Sequence, residues 1–240
     1  MQSSPSLAWL TLAAIAASGV SPVIGHEEEV ILVGRSAAGE LVVDSDFDQP
    51  VELPISIFPG IFGYATGELA FHSTILDDPA NDFFQLSATA DFRFVLLAKD
   101  PGMEVWKDGG SGFMEIGDTF FVGPSPFDTH PVWNIVNGTP GDAYSLTLKL
   151  HDVNGVYPDS APFELSFTPI PPRINLEQVD PLHATILWTT NAVGWELQSA
   201  TSVTVVNWDT ATNIPGIAGT NFFLSVTTAD PQQFFRLHKQ

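Results

Sequence analysis

The sequence predicts an all-β protein: two β-sandwich domains in tandem behind an N-terminal signal peptide. Three observations carry this expectation. Short runs rich in Val, Ile, Phe, Leu and Thr recur between clusters of Gly, Pro, Asn and Asp, without helical periodicity. The run Tyr144-Ser145-Leu146-Thr147-Leu148-Lys149-Leu150 alternates apolar and polar residues, as a strand of an antiparallel sheet with one wet face does. Thr168-Pro169-Ile170-Pro171-Pro172 then breaks the pattern, because proline lacks a backbone donor and stiffens the chain into an extended form.

In chain order, residues 7–24 form an apolar run broken by Gly19 and Pro22, too short and too interrupted to cross a membrane as a helix. It reads as a signal peptide over residues 1–25, although no Lys or Arg precedes it. Val23 and Gly25 suit the −3 and −1 positions, which makes His26 the mature N-terminus; cleavage near Ala17 or Gly19 is the alternative. No second hydrophobic span follows, so the mature chain is expected outside the cell or on its surface, with no transmembrane segment.

An acidic first domain over residues 26–168 is expected to hold strands at 30–33, 40–43, 51–55, 82–86, 92–98, 103–107, 119–122, 143–152 and 163–168. Within 152–157, Asn154-Gly155 predicts a tight hairpin turn, since both residue types tolerate positive φ. After the linker at 169–172, a second domain over 173–240 offers strands at 173–178, 184–189, 194–200, 207–210, 221–227 and 233–237. Trp188, Trp195 and Trp208 are spaced to fill a core between its two sheets.

Charge and cysteine content narrow the function classes. The chain carries 28 acidic and 8 basic residues and a net charge of −20. Of these, 23 acidic and 5 basic residues lie between 26 and 168. Such a field excludes nucleic acid as a partner, because phosphates need neutralising cations. It is either a solvated acidic surface or a field that concentrates divalent cations. With no cysteine, disulfide staples are excluded and stability rests on the core.

Two resemblances follow from specific residues. Ile186-Leu187-Trp188, Gly194-Trp195-Glu196-Leu197-Gln198-Ser199-Ala200, Asn207-Trp208 and the terminal Phe234-Phe235-Arg236-Leu237 occur in the order seen in a module that closes many secreted proteins of Verrucomicrobia and Planctomycetes. That module resembles fibronectin-type or immunoglobulin-like accessory domains. The resemblance implies a bacterial, secreted protein whose last domain carries no chemistry and in which Arg236 is structural. More distantly, Asp128-Thr129-His130-Pro131-Val132-Trp133, Ala143-Tyr144 and His151-Asp152-Val153-Asn154-Gly155 resemble segments of bacterial surface-anchored proteins associated with zinc and manganese transport. Those carry H-x-H-x-x-W, then G-x-Y, then a polar turn. Here Asp128 replaces the first histidine and Asp142-Ala143 replaces the glycine. The resemblance implies divalent-metal handling, with a harder oxygen ligand where an imidazole would stand.

Histidines are the first candidates for chemistry. Asp128 and His130 lie two apart and so face the same way on a strand. His151 and Asp152 end the next long strand and are placed to approach from a neighbour, with His72 as a further imidazole. A zinc, copper or manganese ion needs such convergence. The bland alternative is a set of ordinary polar histidines. If cleavage follows Gly25, His26 offers an amino group and ring that chelate copper. Calcium is the weaker candidate. Asp44-Ser45-Asp46-Phe47-Asp48 opens like a calcium loop but has Gln49 at its sixth position and Ile55 at its twelfth. Asp77, Asp78 and Asp82 form a second acidic patch, more simply a solvated turn.

Catalytic motifs are missing: no G-x-S-x-G elbow, H-E-x-x-H helix, phosphate loop or cysteine nucleophile occurs, and Ser111 sits in a glycine-rich turn. Phe58, Phe62, Tyr64, Trp106 and Trp133 are either core or a sugar-stacking face. The sequence therefore leads to a non-enzymatic secreted or surface protein that binds an extracellular ligand, with divalent metal near Asp128, His130, His151 and His72. The alternative is a carbohydrate-binding or adhesion protein whose contacts come from exposed loops.

Overall fold

Alternation of core-facing and solvent-facing side chains produces strands throughout, and the computed structural model is all-β and sandwich-like. It describes residues 30–45, 49–110, 112–202, 204, 207–211, 214–227 and 232–240; the leader, His26, Asp46, Asp48 and Ser111 lie outside the described residues. The first twelve strands are β1 (Val30–Arg35), β2 (Leu41–Asp44), β3 (Val51–Leu53), β4 (Tyr64–Thr66), β5 (Ala70–Ser73) and β6 (Asp91–Lys99). They continue with β7 (Met103–Val105), β8 (Thr119–Pro124), β9 (Asp128–Thr129), β10 (Trp133–Ile135), β11 (Tyr144–Asp152) and β12 (Phe163–Pro169). They build three sheets, in the orders β2-β1-β5-β9, β4-β10-β7 and β3-β12-β11-β6-β8. Two pairings, β1 with β5 and β12 with β3, are parallel.

These sheets enclose one continuous core. Trp133, Phe71, Phe92, Phe94 and Phe167 are fully buried in it. Phe94 stacks on Phe120 with ring centroids 4.8 Å apart, and Phe71 stacks on Phe94 at 5.3 Å. Truncating any of these rings to Ala would cost about 3–5 kcal/mol. The buried Trp133 indole N–H donates to the Leu69 carbonyl at 2.9 Å, so the largest core side chain leaves no orphaned donor.

The remaining strands are β13 (Asn175–Asp180), β14 (His183–Thr189), β15 (Trp195–Ala200), β16 (Asp209–Thr210), β17 (Gly216–Ala218), β18 (Asn221–Thr227) and β19 (Phe234–Lys239). They form sheets β13-β14-β18-β17 and β16-β15-β19 around a second, smaller core of Ile186, Trp188, Ala192, Leu197 and Leu224. Trp195 packs against it half-buried. Trp208 does not join this core; its ring lies under the Arg236 guanidinium at 4.4 Å, which corrects the expected inter-sheet role. Among the described residues no helix is long and apolar enough to cross a membrane.

Three further departures have physical causes. Residues 82–86 do not form a strand but make isolated bridges, Arg35 to Phe84 and Asp78 to Phe83. Asp82 adopts φ 51°, and the Phe83 ring lies where a Cβ on Gly34 would come within 2.8 Å, so Gly34 is required for this ring to close over β1. Asn154-Gly155 is not a two-residue hairpin loop, because β11 and β12 pair only from Leu148 and Phe163 onward. Gly155 alone of the pair has positive φ, and the Asp152 carboxylate organises the connection instead. Pro169 is still in the sheet, opposite Leu53.

Candidate metal centre

The centre begins with β5. Its Phe71 points into the core, so the next residue, His72, emerges on the other face. Because β5 and β9 are antiparallel neighbours, His72 stands directly across from Asp128. The His72 Nε2 lies 2.8 Å from Asp128 Oδ1. His130, two residues beyond Asp128, turns to the same side, and its Nε2 lies 2.9 Å from the same oxygen. The two imidazole rings are 6.3 Å apart and inclined at 73°. One ligand atom from each of the three residues lies within 4.8 Å of the others, so the group could hold a metal ion.

Surrounding hydrogen bonds fix this arrangement. Phe127 N–H donates to Ser73 Oγ at 3.0 Å and Ser73 N–H donates to the Phe127 carbonyl at 3.1 Å, locking β9 to β5 at its entry. Thr129 Oγ1 donates to the Val122 carbonyl at 2.6 Å. His130 and Trp133 both reach the segment that leads into β5, contacting the Gly67 and Leu69 carbonyls respectively. The spacing of His130 and Trp133 therefore docks one segment on another more than sixty residues away.

The His130 contact has a chemical consequence. Only a protonated Nδ1 can bond to the Gly67 carbonyl, at 2.9 Å, so in the neutral ring Nε2 presents a bare lone pair. Asp128 Oδ1 is also a lone-pair donor. Two such atoms 2.9 Å apart need a cation between them, either a proton on the ring or a metal. His72 Nε2 is buried and, although 2.8 Å from Asp128 Oδ1, makes no hydrogen bond. The site opens to solvent on one side: the Asp128 and His130 side chains are 64% and 41% exposed. Two imidazoles and one carboxylate with an open side form a mixed nitrogen and oxygen ligand set that could hold a metal ion. Tetrahedral ligands at about 2.1 Å from a metal sit roughly 3.4 Å apart. The carboxylate would thus draw back by about half an ångström on binding.

The other expected ligands lie elsewhere. His151 belongs to β11, where its Nδ1 is 2.7 Å from Asp159 Oδ1. Lys149 shares that carboxylate, and these two partners hold the Asp159 carboxyl below the usual range. His151 Nδ1 therefore meets an exposed carboxylate on the five-stranded sheet and is not among the residues brought together at His72. Asp152 turns inward as well. Its carboxylate accepts the N–H groups of Asp91, Asn154, Val156 and Tyr157. Burial pushes this carboxyl up, but the four backbone bonds outweigh burial and hold it low.

Asp77, Asp78 and Asp82 do not form a calcium cluster. Asp77 accepts Gln85 N–H, Asp78 accepts Ala80 N–H and the Asn81 amide, and Asp82 accepts Ala37 N–H. Asp44 is described, but Asp46 and Asp48 are not. Gly67 is the partner that sequence reasoning missed, since a carbonyl 63 residues from His130 leaves no local signal. Compared with protein-family models and with curated proteins, the sequence shows no significant match.

Proposed function

We propose that this chain is a non-enzymatic binding protein of the cell exterior that takes a divalent transition metal, zinc foremost, on His72, Asp128 and His130. The observation that carries this reading is the His130 hydrogen bond to Gly67, which leaves a lone pair of Nε2 facing a carboxylate oxygen. The acidic surface favours cation capture, and the leader-like first 25 residues favour export. Copper and manganese are the competing occupants, and calcium is disfavoured by the two nitrogen ligands.

The test is a zinc titration of the purified, metal-stripped protein followed by thermal melting and elemental analysis. Zinc at about 100 times its Kd would add roughly 2.7 kcal/mol of stability. We expect one equivalent of bound zinc and a raised Tm, both lost in His130→Ala and Asp128→Ala. A Tm unmoved by zinc, copper and manganese alike would overturn the reading. Binding that survives His130→Ala would place the metal elsewhere.

A further inference from the structure

A second site shares no residue with these ligands: a cleft of about 300 Å³ lined by residues of both cores. One wall is Ile55, Ser56, Ile61, Phe62 and Tyr64; the other is Asn191, Val193, Trp195 and Lys239. The walls are fixed to each other. Lys239 Nζ donates to the Gly138 carbonyl at 2.9 Å, and the Asn191 amide donates to the Ser56 carbonyl. Asn134 braces the first wall by donating to the carbonyls of Phe62 and Tyr64. The cleft is thus preformed, as small-ligand sites usually are.

Two features inside it ask for a ligand. Tyr64 is 3% exposed, and its hydroxyl has no hydrogen-bond partner. The Trp195 indole approaches the phenol oxygen without reaching hydrogen-bond geometry. Burial pushes the phenol up, so it remains an O–H donor. The second feature is Lys239. In a chain of net charge −20, Lys99, Lys107 and Lys149 each face a carboxylate. Among the described residues Lys239 faces none; it has only a carbonyl and, at 6.0 Å, the Tyr64 ring.

We infer that this cleft binds a hydroxylated ring bearing one carboxylate, the chemistry of a uronic acid. Lys239 takes the carboxylate, and the half-buried Trp195 offers a ring for stacking. Asn191, whose amide is anchored on Ser56, keeps its carbonyl oxygen to accept a hydroxyl. A single cation without a nest of backbone N–H groups suits a carboxylate better than a phosphate dianion. The acidic first domain repels polyanions, which favours a ligand with a single charge near the cleft.

The experiment is ligand-observed NMR titration of the full chain with glucuronic acid, with an oligosaccharide whose only charge is a terminal glucuronate, and with glucose. We expect saturable binding of at least one acidic sugar, about tenfold stronger than glucose, as one charge-assisted contact gives. Tighter binding of the oligosaccharide assigns the site to chain ends, and equal binding to the free acid assigns it to the monosaccharide. Lys239→Gln should abolish the preference for the acid. Val193→Trp should block all sugars by filling the mouth, at a position 78% exposed and therefore tolerant of folding. Asp128→Asn should leave sugar binding unchanged, which separates this site from the metal centre. No saturable binding, equal binding of glucose, or an unaffected Lys239→Gln protein would overturn the inference.

Discussion

The Asp152 carboxylate makes four backbone N–H bonds while only 2% exposed, and those bonds are the reason the 152–157 turn exists. Replacing it with Ala removes the shared acceptor of four partly buried donors, which would cost about 2–3 kcal/mol. The effect should depend on pH in a definite direction. The folded carboxyl is held below its ordinary value, so its contribution is complete above the unfolded value of about 3.9 and is lost as pH falls through the folded one. Thermal melts of wild type and Asp152→Ala should therefore differ most near neutrality and converge below about pH 4. A constant difference down to pH 2 (roughly two units below the unfolded value) would contradict this assignment. Gly63 makes a complementary case. With φ 92°, it would place a Cβ 2.2 Å from the Ile135 carbonyl oxygen. Gly63→Ala should destabilise the protein by several kcal/mol, on the order of 3.

At the scale of elements, β9 has only two residues and is held by its neighbours. Ser73 of β5 bonds Phe127 in both directions, and the ligands on β9 depend on that clamp. Ser73→Ala should cost about 1–2 kcal/mol by leaving a buried N–H unpaired. The same change should weaken zinc binding without removing any ligand, as loss of a supporting contact does. Calorimetry on the variant checks both; unchanged affinity would mean that β9 holds its place unaided. These short elements are also where the sequence was least legible. Residues 70–73 read Ala-Phe-His-Ser, too short and too mixed for a periodic signal, although they carry the first ligand. Residues 133–135 are buried on both faces and show no alternation. By contrast β6, β11, β12 and β18 were readable, because seven or more residues of alternation leave little ambiguity.

Across the whole molecule, a net charge of −20 acts against compactness. Raising sodium chloride from about 10 mM to about 0.5 M shortens the screening length from roughly 30 Å to under 5 Å and should raise Tm. A stoichiometric metal at His72 should do so at far lower concentration, and melts in chelator-treated buffer separate the two effects. A Tm insensitive to salt would show that the acidic side chains are already neutralised locally.

Composition and periodicity by themselves determined the all-β class, the positions of the long strands and the pairing of Asp128 with His130 on one face. These properties are local: side-chain direction repeats every two residues, and no distant contact is needed to state it. Only the tertiary structure decided that His72 completes the group and His151 does not. That choice rests on the register of β5 against β9, which is set by core packing on the opposite face. The Gly67 carbonyl that orients His130 and the cleft between the two cores have the same origin, since each joins segments that meet only when the chain is folded.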